Sequence, residues 1–144
     1  MNKITNFYQD LIEVVKDEGW KVQHIKNKSI TAEFRPDNQT IVIFHKHKNT
    51  LFGCAVLGHE IGHLVDFIDG KYKKFFFTDN GQITDKRLIQ RVEWSATRFS
   101  AKLLKERGFD TSKIHYLSKE YFESMLPDWY DIYSRDSRRF SPKK

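Results

Sequence analysis

The chain has one cysteine, Cys54, so its own residues cannot build an internal disulfide framework or a Cys-x-x-Cys metal or redox site. Its three prolines, Pro36, Pro127 and Pro142, are too scattered to mark a linker, and no internal repeat breaks the chain into units. Apolar runs such as Ile41-Val42-Ile43-Phe44 and Phe75-Phe76-Phe77 fall far short of a membrane span, and Met1 to Asn6 reads as no signal segment. These absences set the expectation of a cytoplasmic protein with no membrane partner. What is present is bulk for a core: 144 residues, 39% hydrophobic and 15% aromatic, suit one folded domain and argue against disorder.

The net charge of +6 is concentrated at the end of the chain. Residues 135 to 144 carry Arg135, Arg138, Arg139, Lys143 and Lys144 against Asp136 alone. That stretch reads as a basic, flexible tail on a domain of residues 1 to 134. A tail of this kind is either solvated or a contact for nucleic acid or an acidic partner.

Within the domain, Ile4, Phe7, Tyr8, Leu11, Ile12 and Val15 recur at helical spacing before Gly19, which predicts an amphipathic first helix. Three stretches rich in β-branched and aromatic residues follow: Trp20 to Ile25, Ser29 to Arg35 and Thr40 to His45. They read as a small antiparallel sheet, with the last either an edge strand open to a substrate peptide or an interior strand. From a cap at Asn49 or Thr50, apolar residues then cover nearly every side of a helix that ends near Asp69-Gly70, the pattern of a buried central element. Residues 71 to 83 look irregular, with Asp79-Asn80-Gly81 as a turn between two short strands. Lys71 to Phe77 reads as a lid or, through its three Phe, as core filling. A second long helix spans roughly 85 to 107, and residues 112 to 134 suggest one or two short helices interrupted at Pro127. The fold class is α+β.

Inside the central helix lies His59-Glu60-Ile61-Gly62-His63, a His-Glu-x-x-His pattern. Four-residue spacing stacks the two imidazoles on one helical face within reach of a single metal ion, and sets Glu60 beside the open coordination position as a general base. Two imidazoles and a carboxylate buried without partners would cost several kcal/mol each, about 2 to 7 by transfer measurements, and a metal ion satisfies them together.

A catalytic zinc usually takes three protein ligands. The longer zincin pattern would supply a glycine and then a histidine after His63, but Asp66 and Asp69 stand at those positions. Asp69 remains a possible carboxylate ligand, although without the helix-breaking glycine the helix carries it away. Glu93 is the stronger candidate, because it lies in the inward stripe of the second long helix between Ile89 and Ala96. Ala55, Gly58 and Gly62 on one helix, and Glu93, Ala96 and Ser100 on the other, form slim strips that permit close approach.

His59-Glu60-Ile61-Gly62-His63, followed by Glu93-Trp94-Ser95-Ala96-Thr97-Arg98-Phe99-Ser100-Ala101 and Leu103-Leu104, resembles the ImmA/IrrE-like zinc peptidases across roughly residues 40 to 104. The resemblance implies a compact zincin-like domain, one zinc ion held by His59, His63 and Glu93, and Glu60 as the catalytic carboxylate. It also implies intracellular proteolysis of a specific regulatory protein such as a transcriptional repressor. Thr97 departs from the family pattern, which usually has Asn there, and Lys105 follows Leu104 where the family has Met-Pro.

The remaining features allow alternatives. The domain is an endopeptidase, a zinc-stabilised domain that sequesters a regulator without cutting it, or a nucleic-acid-associated protein using its basic tail. Tyr72, His115 and Tyr116 are the residue types able to donate to an oxyanion, and the sequence positions none of them. Asp66 or Asp69 is placed either to orient a ligand imidazole or to face solvent. His45 and His47 alternate at a strand end among lysines and form no second metal site, and Cys54 reads as a small buried hydrophobe.

Overall fold

A computed structural model describes residues 2–77 and 82–135. The Asp79-Asn80-Gly81 turn and residues 136 to 144 lie outside the described residues. Helix α1 (Lys3–Asp17) opens on Asn2, whose side chain accepts the Thr5 N–H at 2.8 Å. It buries Phe7, Tyr8, Leu11 and Val15, the stripe that the periodicity gives, and the chain turns away at Gly19 with φ +79°.

Strands β1 (Lys21–Ile25), β2 (Ala32–Arg35) and β3 (Thr40–Phe44) form a three-stranded sheet in the order β1-β3-β2. The sheet is mixed, which corrects the antiparallel expectation. β3 runs parallel to β1, with Lys21 opposite Thr40 and Ile25 opposite Phe44, and antiparallel to β2, with Ala32 opposite Ile43 and Arg35 opposite Thr40. Burial explains the order: Thr40 to Ile43 are buried on both faces, as a central strand must be, whereas β1 and β2 are partly exposed. Strand spacing is about 4.8 Å, so the connection from residue 26 to residue 31 is long enough to cross the end of an intervening strand. Thr40 to His45 is therefore the interior strand, and β2 lies on the side of the sheet that lines the site.

Helix α2 (Leu51–Ile68) is capped by Thr50, whose hydroxyl accepts the Gly53 N–H at 2.9 Å. By length and a mean hydropathy of 1.3 it would suffice to cross a membrane, but 72% of it is buried inside this fold. Helix α4 (Lys86–Glu106), capped by Asp85, packs along it. The slim strips meet: a Cβ on Gly62 would lie 2.8 Å from the Ala96 Cα, and one on Gly58 would lie 2.6 Å from the Ser100 Oγ. Ser100 donates to the Ala55 carbonyl at 2.6 Å, locking the two helices at that approach.

Between the sheet and α2 lies an aromatic core. Trp20 stacks on Phe34 at 5.0 Å, and Phe34 meets Phe67 and Phe76 at 5.8 and 5.7 Å. The short helix α3 (Lys73–Phe76) supplies Phe75 and Phe76, both fully buried, so these two fill the core, whereas Phe77 stacks on Phe67 and is half exposed. Beyond two 3₁₀ turns, Thr111–Lys113 and His115–Leu117, a single helix α5 (Lys119–Arg135) runs straight through Pro127. The sequence-based break at Pro127 is thus wrong. Packing of Tyr133, 2% exposed, and of Trp129 against the core keeps the chain helical beyond Pro127 despite the missing N–H. Arg135, assigned by sequence to the tail, closes this helix and pairs with Asp131 at 2.8 Å.

Candidate metal centre

The helical repeat of α2 sets His59 and His63 one turn apart, with ring centroids 4.8 Å apart and planes nearly perpendicular at 87°. Both are buried, at 4% and 2% exposure, and α4 brings Glu93, also 2% exposed, across to meet them. Glu93 Oε1 lies 2.9 Å from His59 Nε2 and 3.4 Å from His63 Nε2. Ligand atoms about 2.0 to 2.2 Å from a tetrahedral metal ion stand about 3.3 to 3.6 Å apart, so Glu93 Oε1 is at or just inside that spacing from each imidazole. The donor chemistry fits too, because two neutral imidazoles and one carboxylate leave a divalent cation a position for water.

Glu60, on α2 between the two histidines, also brings a carboxylate oxygen near them; the ligand atoms of His59, Glu60 and His63 lie within 4.8 Å of one another. This buried group can hold a metal ion. Glu93 reaches both imidazoles from the opposite helix, whereas Glu60 shares α2 with them. Asp69, the alternative ligand, is exposed at the C-terminal end of α2 and takes no part. Asp66 is buried but accepts a hydrogen bond from Ser95 at 2.8 Å, a link between the two helices rather than a hold on an imidazole.

The surroundings fix the orientation of the rings and the acid. Thr97 Oγ1 lies 3.2 Å from His59 Nδ1, where it can accept the ring's Nδ1–H and direct the Nε2 lone pair inward. Phe34 and Phe76 wall the His63 ring at centroid distances of 5.9 and 6.3 Å. Tyr133 donates its hydroxyl to Glu93 Oε2 at 2.5 Å. Burial alone would raise the Glu93 carboxyl, but its electrostatic and hydrogen-bond interactions with His63 and His59 outweigh burial and hold it well below the usual carboxylate range.

A cavity of about 260 Å³ opens onto His59, Glu60, His63 and Glu93. Its sheet side is the chain from Ser29 to Phe34; its other side is Tyr116 and the inner face of α5, including Met125, Trp129 and Tyr133. Of the three oxyanion candidates, Tyr116 lines this cavity, with its ring 5.9 Å from that of His59. Burial first, then the charges of Glu60, Tyr121 and Glu93, push its pKa well above the ordinary tyrosine value, so its hydroxyl keeps its proton. His115 is exposed and packs on Tyr121, and Tyr72 begins α3, so neither lines the cavity.

Sequence reasoning missed Tyr133. Its signal was available, since Met125, Trp129, Ile132 and Tyr133 fall at helical spacing, but only for a helix carried through Pro127. Comparison with protein-family models, with curated proteins and with solved structures finds no match to this chain.

Proposed function

We propose that the protein is an intracellular zinc-dependent endopeptidase that cuts a specific regulatory protein, such as a transcriptional repressor. One observation carries the reading: His59, His63 and Glu93 converge from two helices at near-coordination spacing on the floor of a cavity, with Glu60 beside them. His59, His63 and Glu93 would hold the ion. When bound, zinc polarises a carbonyl group and brings the pKa of water towards about 7.

The remaining work falls to this chain's residues. Glu60 accepts a proton from the attacking water as its oxygen adds to the scissile carbonyl carbon, and delivers that proton to the amine as the C–N bond breaks. Tyr116, kept protonated, is the donor available to the oxyanion on the cavity wall. Residues 29 to 34, which lead into and include most of β2, line the same cavity and give an extended substrate a wall to lie along.

The test is a search for new protein N-termini by mass spectrometry in cells expressing the wild-type chain or Glu60→Gln. Cleavage products found with the wild type and missing with Glu60→Gln support proteolysis. Identical sets of termini, with zinc retained by both proteins, would leave a domain that binds a regulator without cutting it.

A further inference from the structure

The sheet side of the cavity carries a charge pattern that the proposed chemistry does not use. Residues 21 to 48 hold six basic residues against two acidic ones, and one of the six, Arg35, is paired with Glu33 at 3.1 Å. Lys26, Lys28, Lys46 and Lys48 are exposed, and none of them is in a salt bridge among the described residues. The parallel pairing of β1 and β3 gathers them. Ile25 stands opposite Phe44, so the lysines after β1 and the 3₁₀ turn His45–His47 leave the same end of the sheet together. The charges of Lys48 and His45 reach His24, which burial and these neighbours hold below its ordinary pKa.

This basic lip is continuous with the cavity by two routes. The chain that follows Lys28, from Ser29 to Phe34, forms the cavity's wall. From the turn, His47 packs on Phe52 at 4.8 Å and Phe52 on Tyr116 at 5.4 Å, and Phe52 leaves 40% of its surface open. On the other side of the cavity, α5 lines it with uncharged residues such as Met125 and Trp129, but the helix as a whole is net acidic, with exposed Glu120, Glu123, Asp128 and Asp131 against Lys119 and Arg135. A nucleic acid laid across this mouth would bring phosphates against the acidic helix. A peptide that is acidic only where it meets the lysines gains their attraction and avoids that repulsion.

We propose that Lys26, Lys28, Lys46 and Lys48 dock an acidic run of a protein substrate, beside the segment that enters the cavity. The inference names the substrate class for the peptidase reading and rests on it. The lip selects by charge, and Phe52 offers an apolar contact between the lip and the site.

The test uses the full chain carrying Glu60→Gln, so that nothing is turned over, and two fluorescein-labelled peptides. They share an uncharged half bearing a photo-crosslinking benzophenone and differ in the other half, one made of Glu and Asp, the other of Gln and Asn. The acidic peptide is expected to bind at least about tenfold more tightly in anisotropy titrations, and to weaken as salt shortens the Debye length. Reversing the four lysines together (Lys26→Glu, Lys28→Glu, Lys46→Glu, Lys48→Glu) is expected to abolish the preference. Replacing them with Gln should reduce it without introducing repulsion, and serves if the reversed protein fails to fold. Crosslinks are expected within residues 29 to 34 or at Tyr116. A preference that survives both sets of substitutions, or crosslinks elsewhere, overturns the proposal. So does tighter binding of a single-stranded oligonucleotide of equal charge that the same substitutions remove. Cleavage by the zinc-loaded wild type is scored separately. An acidic peptide that docks at the lip and is never cut counts against proteolysis and leaves the docking surface standing; equal cutting of both peptides does the reverse.

Discussion

Tyr133 donates its hydroxyl to Oε2 of Glu93, while Oε1 of the same carboxylate faces His59 and His63. The two oxygens thus have separate partners, and Tyr133 ties α5 to the candidate metal centre. Ile83 reinforces the tie by donating its N–H to the Tyr133 carbonyl at 2.8 Å. Tyr133→Phe keeps the ring but removes the donor, so the buried carboxylate loses a hydrogen bond and is free to rotate. The expected cost is about 1 to 3 kcal/mol of stability, read by urea unfolding, and about tenfold in zinc affinity, read by chelator competition. Unchanged zinc affinity would mean that Tyr133 only packs.

Gly62 permits the helix contact that brings Glu93 into place. A methyl group there would meet the Ala96 Cα at 2.8 Å, and a backbone atom in a packed helix cannot step aside. Gly62→Ala gains about 1 kcal/mol of helix propensity but is expected to lose more through overpacking, for a net destabilisation of about 1 to 2 kcal/mol. Zinc affinity should fall with it, because separating the helices withdraws Glu93. A more stable variant would contradict this packing.

Thr97 tests whether the orientation of His59 matters. Thr97→Val preserves shape and removes the oxygen that lies 3.2 Å from Nδ1. Zinc affinity is expected to drop about tenfold, and Thr97→Ser to recover most of it, as measured by chelator competition.

Acid sensitivity is expected from His24. Its Nε2 lies 2.8 Å from the Tyr8 hydroxyl, which burial keeps protonated and therefore donating. Burial, Lys48 and His45 lower the folded-state pKa of His24 below 6.5, so the unfolded chain takes up the proton first. The stability this group contributes is complete above pH 6.5 and is lost as pH falls below it through the folded value. Urea unfolding at about pH 8 and about pH 5 should show this loss, and His24→Gln should reduce it. An equal decline in both proteins would assign it to other groups.

Much of the candidate site was legible from spacing alone, because the residues proposed as ligands sit on long helices whose repeat is regular. His59, Glu60 and His63 follow from one motif, and Glu93 from a stripe that had to face the glycines of α2. The sheet was less legible. That β1 pairs with β3 rather than β2 depends on which strand is buried on both faces, a property of the assembled fold rather than of local pattern. Tyr133 was hidden for a different reason: a proline normally ends a helix, and here tertiary packing overrides it. The lysine lip depends on the parallel pairing, so it was equally invisible before the strand order was known.

The central claim is that Glu93, not Glu60, completes the metal site. Equilibrium dialysis against zinc of the wild-type chain, Glu93→Gln and Glu60→Gln tests it most directly. About one ion per chain is expected for the wild type and for Glu60→Gln, with at least about tenfold weaker binding in Glu93→Gln. Retention by Glu93→Gln with loss in Glu60→Gln, or no zinc bound by the wild type, would contradict the account.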